Sequence, residues 1–186
     1  RRRFVAQGER FARAVAGRER VVVTDAGCAS TLRVHLPAAG VELPVPVEHL
    51  AELAARSLDR LGEIPTDGPV RWHDPCQLGR GLGVYDAPRA VLARALGRAP
   101  DEFADNRERA RCSGAGGLLP VTMPEVARRI GDERGDEHRR AGGGTIVTAC
   151  GSSLRAFQKD GHEVLDLATV LLRALDAAEG RGPGTR

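Results

Sequence analysis

Apolar positions along this chain follow two periods, and their alternation predicts short strands running into helices. Phe4, Phe11 and Val15 recur at helical spacing among Arg and Glu, and Gly17 follows as a stop, so the chain opens with an amphipathic helix. Residues 20–24 are then a β-branched run of the kind that fills a buried parallel strand, ending in the turn Asp25-Ala26-Gly27-Cys28. Residues 29–36 predict a brief helix before Pro37, and Pro44 and Pro46 confine residues 41–47 to an extended edge or connection. A second helix is expected over 49–61, where Leu50, Leu53, Leu58 and Leu61 share one stripe.

The pattern then repeats its vocabulary. After the breaker cluster 62–69, residues 70–73 read as a strand, and Asp86 caps a helix that Pro88 opens and Gly97 ends. Thr122-Met123-Pro124-Glu125 has the form of a capping box ahead of a long polar-faced helix carrying Val126, Ala127 and Ile130, which stops at Gly142-Gly143-Gly144. A strand over 145–149, a helix over 152–158, an extended piece over 163–167 and a last helix to Ala178 complete the order. Strand, cysteine-bearing turn, helix, Gly-x-Glu-apolar segment and Leu-rich helix thus occur twice, with Gly40-Val41-Glu42-Leu43 set against Gly161-His162-Glu163-Val164. The expectation is an α/β tandem pseudo-repeat with parallel strands, flanking helices and a truncated first repeat. Its parts are residues 1–61, the C-terminal part of the first repeat; 62–69, a linker; 70–178, the second repeat; and 179–186, a tail disordered by composition.

Composition narrows the function classes. Apolar residues make up 41% of the 186 and aromatics only 3%, so the core must be aliphatic, as packed helices and parallel strands allow. The net charge of +3 rests almost wholly on arginine, Lys159 being the only lysine, and the bases alternate with acids, as in Arg107-Glu108-Arg109. Solvated helix faces result rather than a positive stripe, which argues against nucleic acid as a partner. No apolar run approaches the ~18 residues of a membrane span, which leaves only peripheral association with a membrane open. Four cysteines without a signal peptide read as thiols or ligands in a reducing, cytoplasmic setting. The chain begins Arg1-Arg2-Arg3-Phe4 inside an amphipathic pattern, as a piece of something longer would. His35, His49, His138 and His162 lack partners at ligand spacing and are expected at the surface.

The chemistry concentrates on Cys76, Cys112 and Cys150. Gaps of 35 and 37 residues carry no local metal motif but suit ligands delivered by successive strand ends, since one crossover through a helix takes about that many residues. Gly114, Gly116 and Gly117 let backbone amides turn towards anionic sulfur, and Cys150 precedes a helix start. The glycine loop lacks the lysine and spacing of a phosphate-binding loop. A zinc site on Cys76, Cys112, Cys150 and His73, or cysteines that only fill space, are the alternatives that the residues themselves leave open; Asp74 is expected to cap its own turn.

His73-Asp74-Pro75-Cys76-Gln77-Leu78-Gly79-Arg80, Tyr85-Asp86-Ala87-Pro88-Arg89, Cys112-Ser113-Gly114-Ala115-Gly116-Gly117 and Thr148-Ala149-Cys150 together resemble the cysteine-rich CCG domain. That domain is shared by heterodisulfide reductases, by the iron-sulfur subunits of glycolate oxidase and anaerobic glycerol-3-phosphate dehydrogenase, and by lactate-utilisation proteins. The resemblance implies two modules, each holding an iron-sulfur cluster, and an electron-transfer role beside a flavoprotein dehydrogenase or ferredoxin-type redox subunit. It implies Cys76, Cys112 and Cys150 as cluster ligands of the second module, with Ser113, Gly114, Gly116 and Gly117 lining the site, and Cys28 as the last cysteine of the first. Ser113, Ser153 and Asp25 stand where the family pattern has cysteine. Three thiolates remain, enough for a 4Fe-4S cluster with a serine, water or partner atom on the fourth iron; a cluster-free scaffolding descendant is the other outcome.

Overall fold

Helix α1 (Arg2–Val15) takes the span that the phenylalanine spacing predicts. In the computed structural model, which describes residues 1–181, it rests on the chain through Gly8, where an added Cβ would stand 2.5 Å from the Leu36 side chain. Strand β1 (Val21–Val23) runs into α2 (Ala26–Ser30), whose N-cap Asp25 accepts from the Gly27 and Cys28 amides at 2.8 and 3.2 Å. The helical path does not stop before Pro37. A π-type turn over Thr31–His35 and then α3 (Leu36–Ala38) carry it on, with Pro37 placed in the first turn of α3, where proline is tolerated.

Strand β2 (Val47–His49) pairs parallel to β1, Val21 opposite Val47 and Val23 opposite His49. It takes residues from both the expected connection and the expected second helix, so α4 is only Leu50–Ala55, followed by a 3-10 turn at Leu58–Arg60. The cause is His49. Its ring accepts from the Ala51 amide while Glu52 accepts from the His49 amide, a capping box with imidazole in place of a hydroxyl, and that requires extended backbone at His49. The strand therefore lies beyond Leu43, the residue that the Gly-x-Glu-apolar match sets against Val164.

The second half builds β3 (Val70–Trp72), α5 (Gly79–Leu82), α6 (Asp86–Leu96), β4 (Asp101–Glu102), α7 (Leu119–Thr122), α8 (Pro124–Arg140), β5 (Thr145–Thr148), α9 (Gly151–Lys159), β6 (Val164–Asp166) and α10 (Leu167–Ala178). Its four strands form one parallel sheet in the order β4-β3-β5-β6, with Arg71 opposite both Asp101 and Ile146, and Ile146 opposite Val164. The unit β5-α9-β6-α10 repeats the order β1-α2-β2-α4, down to the cap: Asp166 accepts from the Ala168 amide at 2.8 Å as His49 accepts from Ala51. Two expected caps are absent. Thr122 ends α7 and bonds back to the Leu118 carbonyl, leaving Met123 at the start of α8, and Asp86 lies inside α6, paired with Arg107 at 2.7 Å.

One aliphatic core crosses the expected boundary, joining Ala26, Ala51 and Leu61 to Trp72, Leu78, Leu92, Val147 and Val170. The segment 62–69 is pinned at its start, Gly62 donating to the Ala174 carbonyl and Ile64 to that of Ala95, each at 2.8 Å. A smaller cluster of Phe103, Ile146, Phe157 and Val164 fills the rest of the sheet's surroundings. Here two histidines depart from the surface positions expected of them. His138 is buried, accepts at Nδ1 from Arg71 at 2.9 Å and donates from Nε2 to the Gly144 carbonyl at 3.1 Å, while His49 is buried with Nε2 on the Thr24 carbonyl at 3.1 Å. Burial pushes both imidazoles below their ordinary pKa and keeps them neutral. His35 is exposed and His162 half-buried beside Arg139. No helix among the described residues is long and apolar enough to cross a membrane. The expected tail, 179–186, falls mostly outside the described residues; within them, Glu179 closes α10 and Arg181 pairs with Asp176.

Candidate functional site

Strand β3 is buried along its length between β4 and β5, and the segment beyond its carboxyl end is held as firmly. His73 continues the ladder by donating to the Val147 carbonyl at 2.9 Å. Its ring packs edge-on against Phe157 and Phe103, with centroids 5.1 and 5.9 Å away, and Nδ1 has no hydrogen-bond partner among the described residues. Full burial, reinforced by Arg134, lowers its pKa to about 3, so the ring is neutral and serves packing.

Asp74 does more than cap its turn. It is 3% exposed and accepts from Trp72 Nε1 at 2.9 Å, from both Arg89 Nη atoms at 2.8 and 2.7 Å, and from the Arg107 amide at 2.9 Å. Burial opposes its charge, but Arg89, the Arg107 amide and Trp72 outweigh burial and hold the carboxyl below the usual range. Arg107, at φ 54°, begins the 3-10 turn Arg107–Arg109 that leads to Cys112, so this carboxylate ties the Cys76 and Cys112 segments together.

Cys112 itself does not arrive on a strand end. Strand β4 stops at Glu102, and the cysteine sits in irregular chain fixed from outside by Arg80 on the Ala110 carbonyl and by Gly114, at φ 73°, against α8. A Cβ on Gly114 would stand 2.3 Å from the Ala127 carbonyl oxygen, so no other residue fits. Cys150 caps α9 directly after β5. The next amide, Gly151, is taken by the second oxygen of Asp25 at 3.0 Å, and Ala26 donates to the Ala149 carbonyl at 3.0 Å, joining the two cysteine-bearing turns.

These placements bring Cys76 and Cys112 close enough for each thiol to shift the acidity of the other, with Cys150 near enough for its charge to act on Cys76. Cys112 is pulled down to about 5, first by the Cys76 thiol, against burial, and then by the Gly114 and Ser113 amides and the Ser113 hydroxyl. Cys76 is pushed up by the same bond, by burial and by the charges of Cys112 and Cys150, with Arg80 opposing. Ser113 and Ser153, 2% and 3% exposed, hydrogen-bond each other at 2.8 Å.

Of the other predicted site residues, Gly114 reaches the sulfur through its amide, whereas Gly116 and Gly117 lie exposed at the outer end of the loop. Cys28 is exposed on α2. His73 is turned into the rings of Phe103 and Phe157, and among the described residues no three of His, Cys, Asp and Glu, the three thiols included, are grouped as a single metal ion requires, so the expected zinc arrangement is not formed. Arg80 and Ser153 lie at the site as well, although neither is among the residues expected to line it. Both carried a signal in the family pattern, Arg80 as the last residue of the motif that begins at His73 and Ser153 at a cysteine position; the contact between Ser153 and Ser113 had none.

Residues 70–157 match the family model of the CCG cysteine-rich domain, and the match runs from β3 through Cys76, Cys112 and Cys150 to α9. This segment is a CCG cysteine-rich domain. The chain is 33% identical over 142 residues to one subunit of the fumarate reductase (CoM/CoB) of Methanothermobacter marburgensis, covering 76% of this chain and 28% of that protein. Against a subunit of the dihydromethanophenazine:CoB–CoM heterodisulfide reductase of Methanosarcina mazei it is 33% identical over 175 residues, 91% of this chain and 42% of that one. A Bacillus subtilis protein named "Probable iron-sulfur-binding oxidoreductase FadF" is 34% identical over 55% of this chain and 14% of its own length. The chain thus spans well under half the length of these relatives.

Proposed function

We propose that this chain is an iron-sulfur electron-transfer component of a flavin-linked dehydrogenase or a heterodisulfide-reductase-like oxidoreductase. One observation carries the reading: Cys76 follows β3, Cys150 follows β5, its neighbour in the sheet, and Asp74 ties the Cys112 segment to the first of these, so the three cysteine segments lie beyond the carboxyl ends of adjacent strands, where open parallel sheets place their ligands. The donor set suits sulfur-ligated iron. Cys76 and Cys112 each shift the other's acidity, Cys150 acts electrostatically on Cys76, and the Ser113 and Gly114 amides favour the Cys112 thiolate.

Cys76, Cys112 and Cys150 would hold a cluster, a 4Fe-4S cubane being the simplest that three thiolates support, and when bound it supplies a one-electron store. The chain's own residues hold that site ready: Asp74 locks two of the cysteine segments together, and the Arg80 cation offsets charge at Cys76. Cys28 belongs to a separate site, of which this chain holds one ligand. Strand β1 carries β2 on one side, as β5 carries β6. The iron-sulfur and reductase names of the relatives support this reading, and a flavoprotein or ferredoxin-type subunit is its partner class.

Anaerobic reconstitution with ferrous iron and sulfide tests it. The expected result is a brown chromophore with a broad visible band, lost in Cys76→Ala, Cys112→Ala and Cys150→Ala and kept in Cys28→Ala. A colourless, iron-free product would overturn the reading in favour of a cluster-free scaffold.

A further inference from the structure

We propose that the outward face of α1 is a docking surface for an anionic lipid bilayer. The inference is independent of the electron-carrier reading, and its test needs no cluster.

Charge is interspersed along most of this chain, and α1 is where it is not. Residues 1–20 hold seven arginines against Glu9 and Glu19, a charge of +5 where the whole chain carries +3. Burial sorts the helix into two faces. Gly8 is buried against Leu36 and Val41, and Phe11, Ala12 and Val15 are half-buried on the same side. Arg2, Arg3, Arg10 and Arg13 are exposed on the other side, and Glu9 is the one acid of the helix. Among the described residues Arg20 pairs with Glu19 and Glu48, whereas no carboxylate lies within ion-pair distance of those four arginines, so the fold does not neutralise them.

The second repeat supplies the comparison. Helix α8 precedes β5 as α1 precedes β1, yet its five arginines are matched by five acids, with Arg128 on Asp132, Arg134 on Glu137 and Arg139 on Asp136. This place in the fold therefore does not demand a one-sided helix. A row of arginines on the convex side of a helix suits a broad negative surface, where each basic side chain adds to the attraction. Phe4, 39% exposed, lies at the margin of the two faces, placed to enter the headgroup region with the arginine stems while the guanidinium groups stay among the phosphates. Between the arginines the outward face carries Ala6, Gln7 and Ala14, with none of the aromatic rings on which unpaired bases stack. A bilayer is thus favoured over nucleic acid.

The test is co-sedimentation of the full chain with vesicles of phosphatidylcholine containing roughly one third phosphatidylglycerol, against phosphatidylcholine alone, at about 0.1 M and about 0.5 M salt. Binding is expected to the anionic vesicles alone, and it should fall at the higher salt. Arg10→Gln/Arg13→Gln is expected to weaken it roughly 30-fold, at ~1 kcal/mol for each arginine. Arg129→Gln/Arg140→Gln on α8 makes the same change in net charge and should leave binding as it is. Both pairs should keep the wild-type urea midpoint, since all four side chains are exposed. Phe4→Ala is expected to weaken binding by a factor that salt does not alter. No binding to the anionic vesicles, or equal losses in the α1 and α8 pairs, overturns the proposal. Tighter binding to a single-stranded oligonucleotide or to polyglutamate than to the vesicles, lost in Arg10→Gln/Arg13→Gln, overturns it too and assigns the stripe to nucleic acid or to an acidic protein.

Discussion

Replacing Asp74 with alanine removes one small carboxylate and breaks four hydrogen bonds at once. Arg89 loses both Nη contacts at 2.8 and 2.7 Å, Trp72 Nε1 is left in a site where its side chain has no exposure, and the Arg107 amide loses its acceptor at 2.9 Å. Removing one member of a buried ion pair costs about 3–5 kcal/mol. The lower half of that range applies, because Glu102, bonded to Arg89 at 2.6 and 2.8 Å, still compensates the guanidinium. The abandoned Trp72 N–H adds about 1–3 kcal/mol, so the sum is on the order of 4–7 kcal/mol, or roughly 8–28 °C in Tm for a chain of this size. Urea unfolding of wild type, Asp74→Ala, Arg89→Met and the double variant measures it. The double variant is expected to be no less stable than Asp74→Ala, because the stranded cation has gone too. A loss below about 1 kcal/mol in Asp74→Ala, or strictly additive losses in the pair, would refute the hub. Because Asp74 also pins Arg107, the variant should lose the coupling of Cys76 to Cys112, seen as similar iodoacetamide reactivity for the two thiols.

Acid should weaken the fold well before the carboxylates titrate. The native pKa values of His49, His73 and His138 lie below that of the unfolded chain, so the unfolded state binds more protons and stability falls as pH drops below ~6.5. For His73 the loss continues to pH about 3 and totals on the order of 5 kcal/mol; urea midpoints at successive pH values should show a flatter slope in His73→Leu, and an identical slope would contradict its burial in neutral form. Asp74 is lowered instead, so its share is present above ~4 and disappears only as pH falls through its native value. Gly114→Ala is expected to be poorly tolerated, with a Cβ 2.3 Å from the Ala127 oxygen at φ 73°, at a cost of at least about 1–3 kcal/mol. Gly116→Ala meets nothing within 4 Å and should change stability by less than about 0.5 kcal/mol; equal thermal shifts in the two would show that the loop is not packed as described.

What could be read along the chain was whatever depends on near neighbours. Val21–Val23 and Thr145–Thr148 are strands because β-branched residues run together, and Cys150 stands at a helix start because the strand before it and the apolar spacing after it leave one place for the turn. The family resemblance likewise rests on contiguous motifs around Cys76, Cys112 and Cys150. Capping proved less local than it looks: Thr122-Met123-Pro124-Glu125 has the right letters, yet Thr122 already belongs to α7, whereas His49 caps α4 with a residue type that composition rules pass over. The tertiary fold alone decided which groups share a dielectric. Ser113 meets Ser153 across 40 positions, Arg71 meets His138 across 67, and Asp25 reaches Gly151 across 126. Each of these contacts is made between side chains or amides on different elements packed together, and no period in the sequence encodes that packing. The coupling of Cys76 to Cys112 is of the same kind: the thiols are visible in the chain, but the acidity of one and the basicity of the other come from burial and from amides that only the folded loop aims at them.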